Sequence, residues 1–135
     1  KRAWDTQFIM AQKTEAGYIK ISSPELTAID LIYFQDRIGG FARVSTILEE
    51  LSSQINPNRL LNCAKTYNVT SVVQRLGFIL EIVLEKAELV KPLKKQMQRT
   101  KYFPLLLNPS SPVKQELRIE NDWKVIQNII VEPEI

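Results

Sequence analysis

A chain of 135 residues, 44% apolar and 24% charged, has the size and composition of one ordinary globular domain that can bury a core without disulfides or metal. A single cysteine, Cys63, and no histidine exclude an intrachain disulfide, a cysteine-only metal site, the usual zinc sites and histidine-based catalysis. The net charge of +3 is too mild to mark a nucleic-acid binder by itself, and no apolar run approaches the roughly 20 residues of a membrane span.

In chain order, the apolar run 8–11 after Trp4 predicts a strand, the polar stretch 12–17 a turn, and the alternating 18–21 a second strand, making a hairpin. Ser23-Pro24-Glu25 then marks a helix start. Proline holds the residue before it extended and loses no useful donor at the first helical position, while an acid favours the positive helix end. Leu26, Ala28, Ile29, Leu31, Ile32, Tyr33 and Phe34 put apolar groups on nearly every side, which predicts burial on nearly every side. The helix is expected to end before Gly39-Gly40. Phe41, Val44, Leu48, Leu51 and Ile55 then recur at steps of three and four on a second helix, whose polar side carries Arg43, Glu49 and Glu50. Asn56-Pro57 starts a third, with Leu60, Leu61 and Ala64 as its apolar face and Cys63 as a small buried group.

Asn68 is expected to cap the most periodic helix of the chain, 69–85, placed at the centre of the helical layer. Gly77 inside it costs about 1 kcal/mol relative to alanine, and a close helix crossing is its ordinary explanation. Residues 86–101 predict another helix, with Leu89, Val90, Leu93 and Met97 inward and a start near Pro92, because proline fits awkwardly in a helix interior. A short extended segment at 104–107, a loop at 108–112 and a strand around Trp123 and Val125 complete the chain. The expectation is one α+β domain over 1–135: four to five helices packed on a small sheet formed by the N-terminal hairpin and the C-terminal strands.

The charge that stands out is Lys91, Lys94, Lys95, Arg99 and Lys101, in an interval with no acid between Glu88 and Glu116 and to which Lys114 adds a sixth base. Helical spacing puts much of it on one side, where it meets either water or phosphate; the solvated face is the commoner outcome. Trp4, Tyr102, Phe103 and Trp123 have faces on which bases stack, but their apolar flanks favour core or sheet packing. Glu81 and Glu85, like Glu49 and Glu50, read as solvated carboxylates. No phosphate-cradling glycine loop and no nucleophile elbow occurs, so enzyme activity and a cofactor are not expected.

The segment ISSPELTAIDLIYFQDRIGGFARVSTILEEL resembles the core motif of AbiEi-type antitoxins, regulators of type IV toxin–antitoxin systems. QRLGFILE at 74–81 and DWKVIQNIIVEPE at 122–134 agree in order. What the resemblance implies is a cytoplasmic antitoxin domain that neutralises a nucleotidyltransferase toxin without a stable complex. Family members typically join such a C-terminal domain to an N-terminal winged helix, which is expected to lie outside this chain and to carry operon autorepression. Within the matched blocks, Arg37, Arg43 and Arg75 are candidates for a basic patch, or alternatively brace carboxylates at element ends. Together with Lys91, Lys94, Lys95, Arg99 and Lys101 they are the candidate contacts for toxin or nucleic acid. A basic nucleic-acid module or a dimerisation module without antitoxin role is the competing expectation. The oligomeric state is left open.

Overall fold

The computed structural model describes residues 9–14, 17–110, 121–129 and 131. Strands β1 (Ile9–Thr14) and β2 (Gly17–Ser22) form an antiparallel hairpin with Ile9 opposite Ser22 and Thr14 opposite Gly17. The turn is shorter than the sequence suggests, because Gln12 and Lys13 remain in the ladder opposite Ile19 and Tyr18. Trp4, Phe8 and Lys114 lie outside the described residues.

Helix α1 (Pro24–Tyr33) starts as its sequence dictates, with the Ser23 hydroxyl accepting the Leu26 N–H at 3.2 Å. Leu26, Ala28, Ile29, Leu31 and Ile32 are all buried, and α1 packs mainly on α3 (Phe41–Leu51), α4 (Pro57–Tyr67) and α5 (Thr70–Phe78). It stops at Tyr33, and a four-residue α2 (Gln35–Ile38) intervenes before the glycines. Gly39 and Gly40 then reverse the chain at φ of +123° and +89°, a region that β-carbon sterics close to most residues. The stripe of α3 buries Phe41, Val44 and Leu48.

The start of α4 is tied to the start of α1. Asn56 accepts the Asn58 and Arg59 amides with its own side chain, while its N–H donates to the Glu25 carboxylate at 2.7 Å. Glu25 is 1% exposed, and its second oxygen faces the Arg59 Nε at 3.9 Å, so one buried acid serves two positive helix ends. Cys63 is buried on α4, as expected.

Three helix boundaries differ from the sequence expectation. Asn68 does not cap α5; it closes α4 in the left-handed conformation at φ 55°, ψ 43°, with its N–H on the Ala64 carbonyl. Asparagine is suited to both jobs, and the left-handed site won because Val69 supplies the extended residue before α5. Beyond Phe78 the helix does not run on regularly to Glu85 but widens into a π turn at Ile79–Val83, where Leu84 N–H bonds the Ile79 carbonyl at 2.9 Å. Helix α6 (Ala87–Gln98) starts before Pro92 and keeps it inside. The lost hydrogen bond is tolerated because Leu89, Val90, Leu93 and Met97 are buried on the inner face, each fully buried side chain contributing about 1.5–3 kcal/mol.

The fold class is α+β as expected, with six helices among the described residues where four or five were anticipated. The sheet is a correction. Strand β4 (Val125–Ile126) pairs in parallel with β3 (Leu105–Leu106), and the hairpin is a separate two-stranded sheet. One side chain extends the β3–β4 ladder: Asn128 accepts the Asn108 N–H at 2.9 Å and donates to the Asn108 carbonyl at 2.8 Å. The layer is centred jointly on α1 and α5, the latter also touching α6 and β4. Among the described residues no helix is long and apolar enough to cross a membrane.

Candidate functional site

Gln74, Gly77 and Glu81 follow one another at steps of three and four, which aligns them on one face of α5 and its π turn. Together they hold Trp123, which is 1% exposed. The Gln74 amide nitrogen donates to the Trp123 carbonyl at 2.8 Å and to the Phe103 carbonyl at 2.9 Å. The indole ring lies against Gly77, where a β-carbon would overlap Cε3 and Cζ3. The indole N–H donates to Glu81 at 3.0 Å. Gly77 therefore makes room for a tryptophan and not for the helix crossing that its position suggested.

Glu81 is also the centre of the charge network. Lys94 Nζ lies 2.7 Å from Glu81 and 3.1 Å from Asp122, which joins α6, the π turn and the C-terminal segment at one ammonium group. This corrects two expectations, since Glu81 is not a solvated carboxylate and Lys94 is not part of an outward basic face. Burial pulls the Lys94 pKa down, but hydrogen bonds to and charges on Glu81 and Asp122 outweigh it and leave the group above its ordinary 10.5. Tyr102, whose hydroxyl donates to the Asp122 carbonyl, is raised above its ordinary 10.0 by burial first and the Asp122 charge second, with Lys94 opposing both.

The sign follows from linkage. Both groups hold their protons more tightly folded than unfolded, so their contribution is complete below the ordinary values and is lost as pH rises through the folded ones. The urea midpoint is therefore expected to hold up to about pH 10 and to fall above it, and Lys94→Met to flatten that fall while lowering stability at neutral pH. An unchanged alkaline slope in Lys94→Met would remove Lys94 from this account.

The eight candidate bases divide into two sets. Arg75 is turned inward with Lys94: its Nε and Nη2 donate to the Leu106 carbonyl at 3.1 and 2.9 Å, and burial lowers its pKa. It braces a carbonyl on β3 and not the carboxylate that was expected. Arg37, Arg43, Lys91, Lys95, Arg99 and Lys101 are exposed. Arg37 sits over the Phe34 ring at 5.6 Å, and the Arg43 side chain crosses Gly39, where an added β-carbon would be 2.9 Å from its Nε. These two lie at the double-glycine reversal. The other four follow α6 outward, away from them in sequence. Glu49, read as solvated, is exposed but pairs with Lys86 at 3.1 Å.

The aromatic expectation holds for two residues and fails for one. Tyr102 and Trp123 are buried, whereas Phe103 is 71% exposed. Nothing in the local sequence separates Tyr102 from Phe103, since in the run 99–103 only Tyr102 is buried and no strand forms. Gln74 carried no signal either, because its two acceptors are 29 and 49 positions away. No group of three or more Cys, Asp or Glu among the described residues is placed to hold a metal ion.

Comparison with known families places residues 4–82 on the model described as the AbiEi antitoxin C-terminal domain. The matched part runs through β1, β2 and α1–α5 and takes in Gln74, Gly77 and Glu81, while Lys94, Asp122 and Trp123 fall beyond it. No curated protein and no solved structure matches the chain.

Proposed function

The chain belongs to the AbiEi antitoxin C-terminal domain family, and from that premise we propose that it opposes a nucleotidyltransferase toxin in a type IV toxin–antitoxin system, within a cytoplasmic regulator that also represses its own operon. The family match carries this proposal, since it covers more than half of the chain and takes in α1–α5. The exposed basic pair Arg37 and Arg43 is the contact we assign to the antitoxin role. Both lie inside the matched segment and flank the Gly39-Gly40 reversal, so their charges sit on either side of one turn. Arg75 and Lys94 support the fold in this proposal and do not touch the toxin.

The test is co-expression of the cognate toxin with the full-length regulator. Arg37→Glu together with Arg43→Glu is expected to abolish protection while helical circular dichroism and cooperative thermal unfolding show that the protein stays folded. Deleting this domain is expected to abolish protection as well. Survival of cells expressing the domain-deleted protein would overturn the antitoxin assignment, and survival with the double reversal would remove the arginine pair from it.

A further inference from the structure

Lys91 and Lys95 on α6 and Arg99 at its C-cap recur at steps of four, about 6 Å apart along the axis, and all three are exposed. Lys101 continues the series beyond the helix. None of the four makes an ion pair with any described residue, in contrast to Lys94 and Lys86, which are paired on other sides of the same region. The one acid on this face, Glu88, sits at its N-terminal end and leaves the C-terminal half purely cationic.

Phe103 stands where the series ends. It is the most exposed large apolar side chain among the described residues, yet its backbone is fixed: Gln74, 2% exposed, holds its carbonyl, and the neighbouring Tyr102 is buried with its hydroxyl bonded. A solvated phenyl ring on an anchored backbone has the backbone part of its ordering cost already met, which favours any partner that stacks on it. Cations at a regular spacing followed by a bare aromatic ring match a polyanion that carries flat apolar groups.

We propose that Lys91, Lys95, Arg99, Lys101 and Phe103 form a contact for single-stranded nucleic acid, with phosphates along the cations and an unpaired base on the Phe103 ring. Single-stranded chains fit better than duplexes because a duplex keeps its bases stacked and offers the ring no face. An acidic protein surface would use the cations but would leave the phenyl ring unexplained. The site lies outside the segment matched to the antitoxin family, and the inference is independent of the toxin proposal.

The experiment is fluorescence anisotropy on the full chain with short mixed-sequence oligonucleotides, single-stranded and duplex, across a salt series, with polyglutamate as the acidic-polypeptide probe. Four engaged cations predict a slope of log K against log salt of about −3 for single strands, falling to about −1.5 in Lys91→Glu/Lys95→Glu. Phe103→Ala and Phe103→Leu are expected to weaken single-strand binding roughly tenfold, the loss of one stacked base, and Phe103→Tyr to restore it. Because the ring is exposed, these variants keep the parental unfolding midpoint. Equal binding of single strands by the parent, Phe103→Ala and Phe103→Leu overturns the proposal. So does duplex binding as tight as single-strand binding, or polyglutamate binding as tight as either.

Discussion

Trp123→Ala is expected to lower stability by about 3–5 kcal/mol, the cost of deleting a fully buried aromatic. That is a large share of the roughly 5–15 kcal/mol that holds a domain of this kind together. The indole is 1% exposed, and beyond the cavity its loss leaves Glu81 without the N–H it accepts. The partner change is Gly77→Ala. At an exposed helical site this substitution gains up to about 1 kcal/mol, but here the new methyl would overlap the indole, so a loss of about 1–3 kcal/mol is expected. In the Trp123→Ala background the obstruction is gone, and Gly77→Ala should become neutral or stabilising, which gives a coupling energy well outside additivity. Urea unfolding of the four proteins measures the cycle. A Gly77→Ala protein more stable than the parent would show that the ring and the glycine are not in contact.

Gln74→Leu is expected to cost about 2–4 kcal/mol, although leucine fills a similar volume and suits an apolar helix face. The reason is that two carbonyls, those of Phe103 and Trp123, lose their donor at once, at about 1–3 kcal/mol for each buried group left unpaired. The loss should be local before it is global. In a Trp4→Phe background the emission of Trp123 is expected to shift to the red while helical circular dichroism is retained, because the amide fixes the C-terminal segment and not α5 itself. Parental stability in Gln74→Leu would mean that other groups satisfy those carbonyls.

These residues also show where the sequence was informative and where it stopped. Local chemistry was legible: Ser23-Pro24-Glu25 starts α1, Asn56-Pro57 starts α4, and Gly39-Gly40 reverses the chain, since each depends on residues within one turn. Asn68 was misplaced because its amide suits a helix start and a left-handed helix end equally, and only the neighbouring conformation decides. The wrong sheet has a similar origin. Alternation around Val125 predicts a strand but not its partner, and the partner is fixed by side chains remote in sequence, Asn128 on Asn108 and Arg75 on Leu106. Among the candidate bases, spacing grouped Lys94 with Lys91 and Lys95, yet Lys94 is drawn to Glu81 and Asp122 at the edge of the helix face. Charge periodicity finds a face; only the opposing elements tell which members of it are already engaged.

The seat of Trp123 has a consequence on the ribosome. Gln74 and the tryptophan that it holds are 49 residues apart, so α5 is synthesised, with Gly77 uncovered, well before its occupant exists. At about 5–20 residues per second the gap lasts roughly 2–10 s, far longer than helices need to form and collapse. For most of that interval the nascent helical layer carries an indole-sized slot floored by Gly77, with the Gln74 amide lacking both its acceptors and Glu81 held by Lys94 alone. Any chain that stalls or is cut before residue 123 keeps that slot open, which makes early termination visible to whatever in the cell inspects exposed apolar surface.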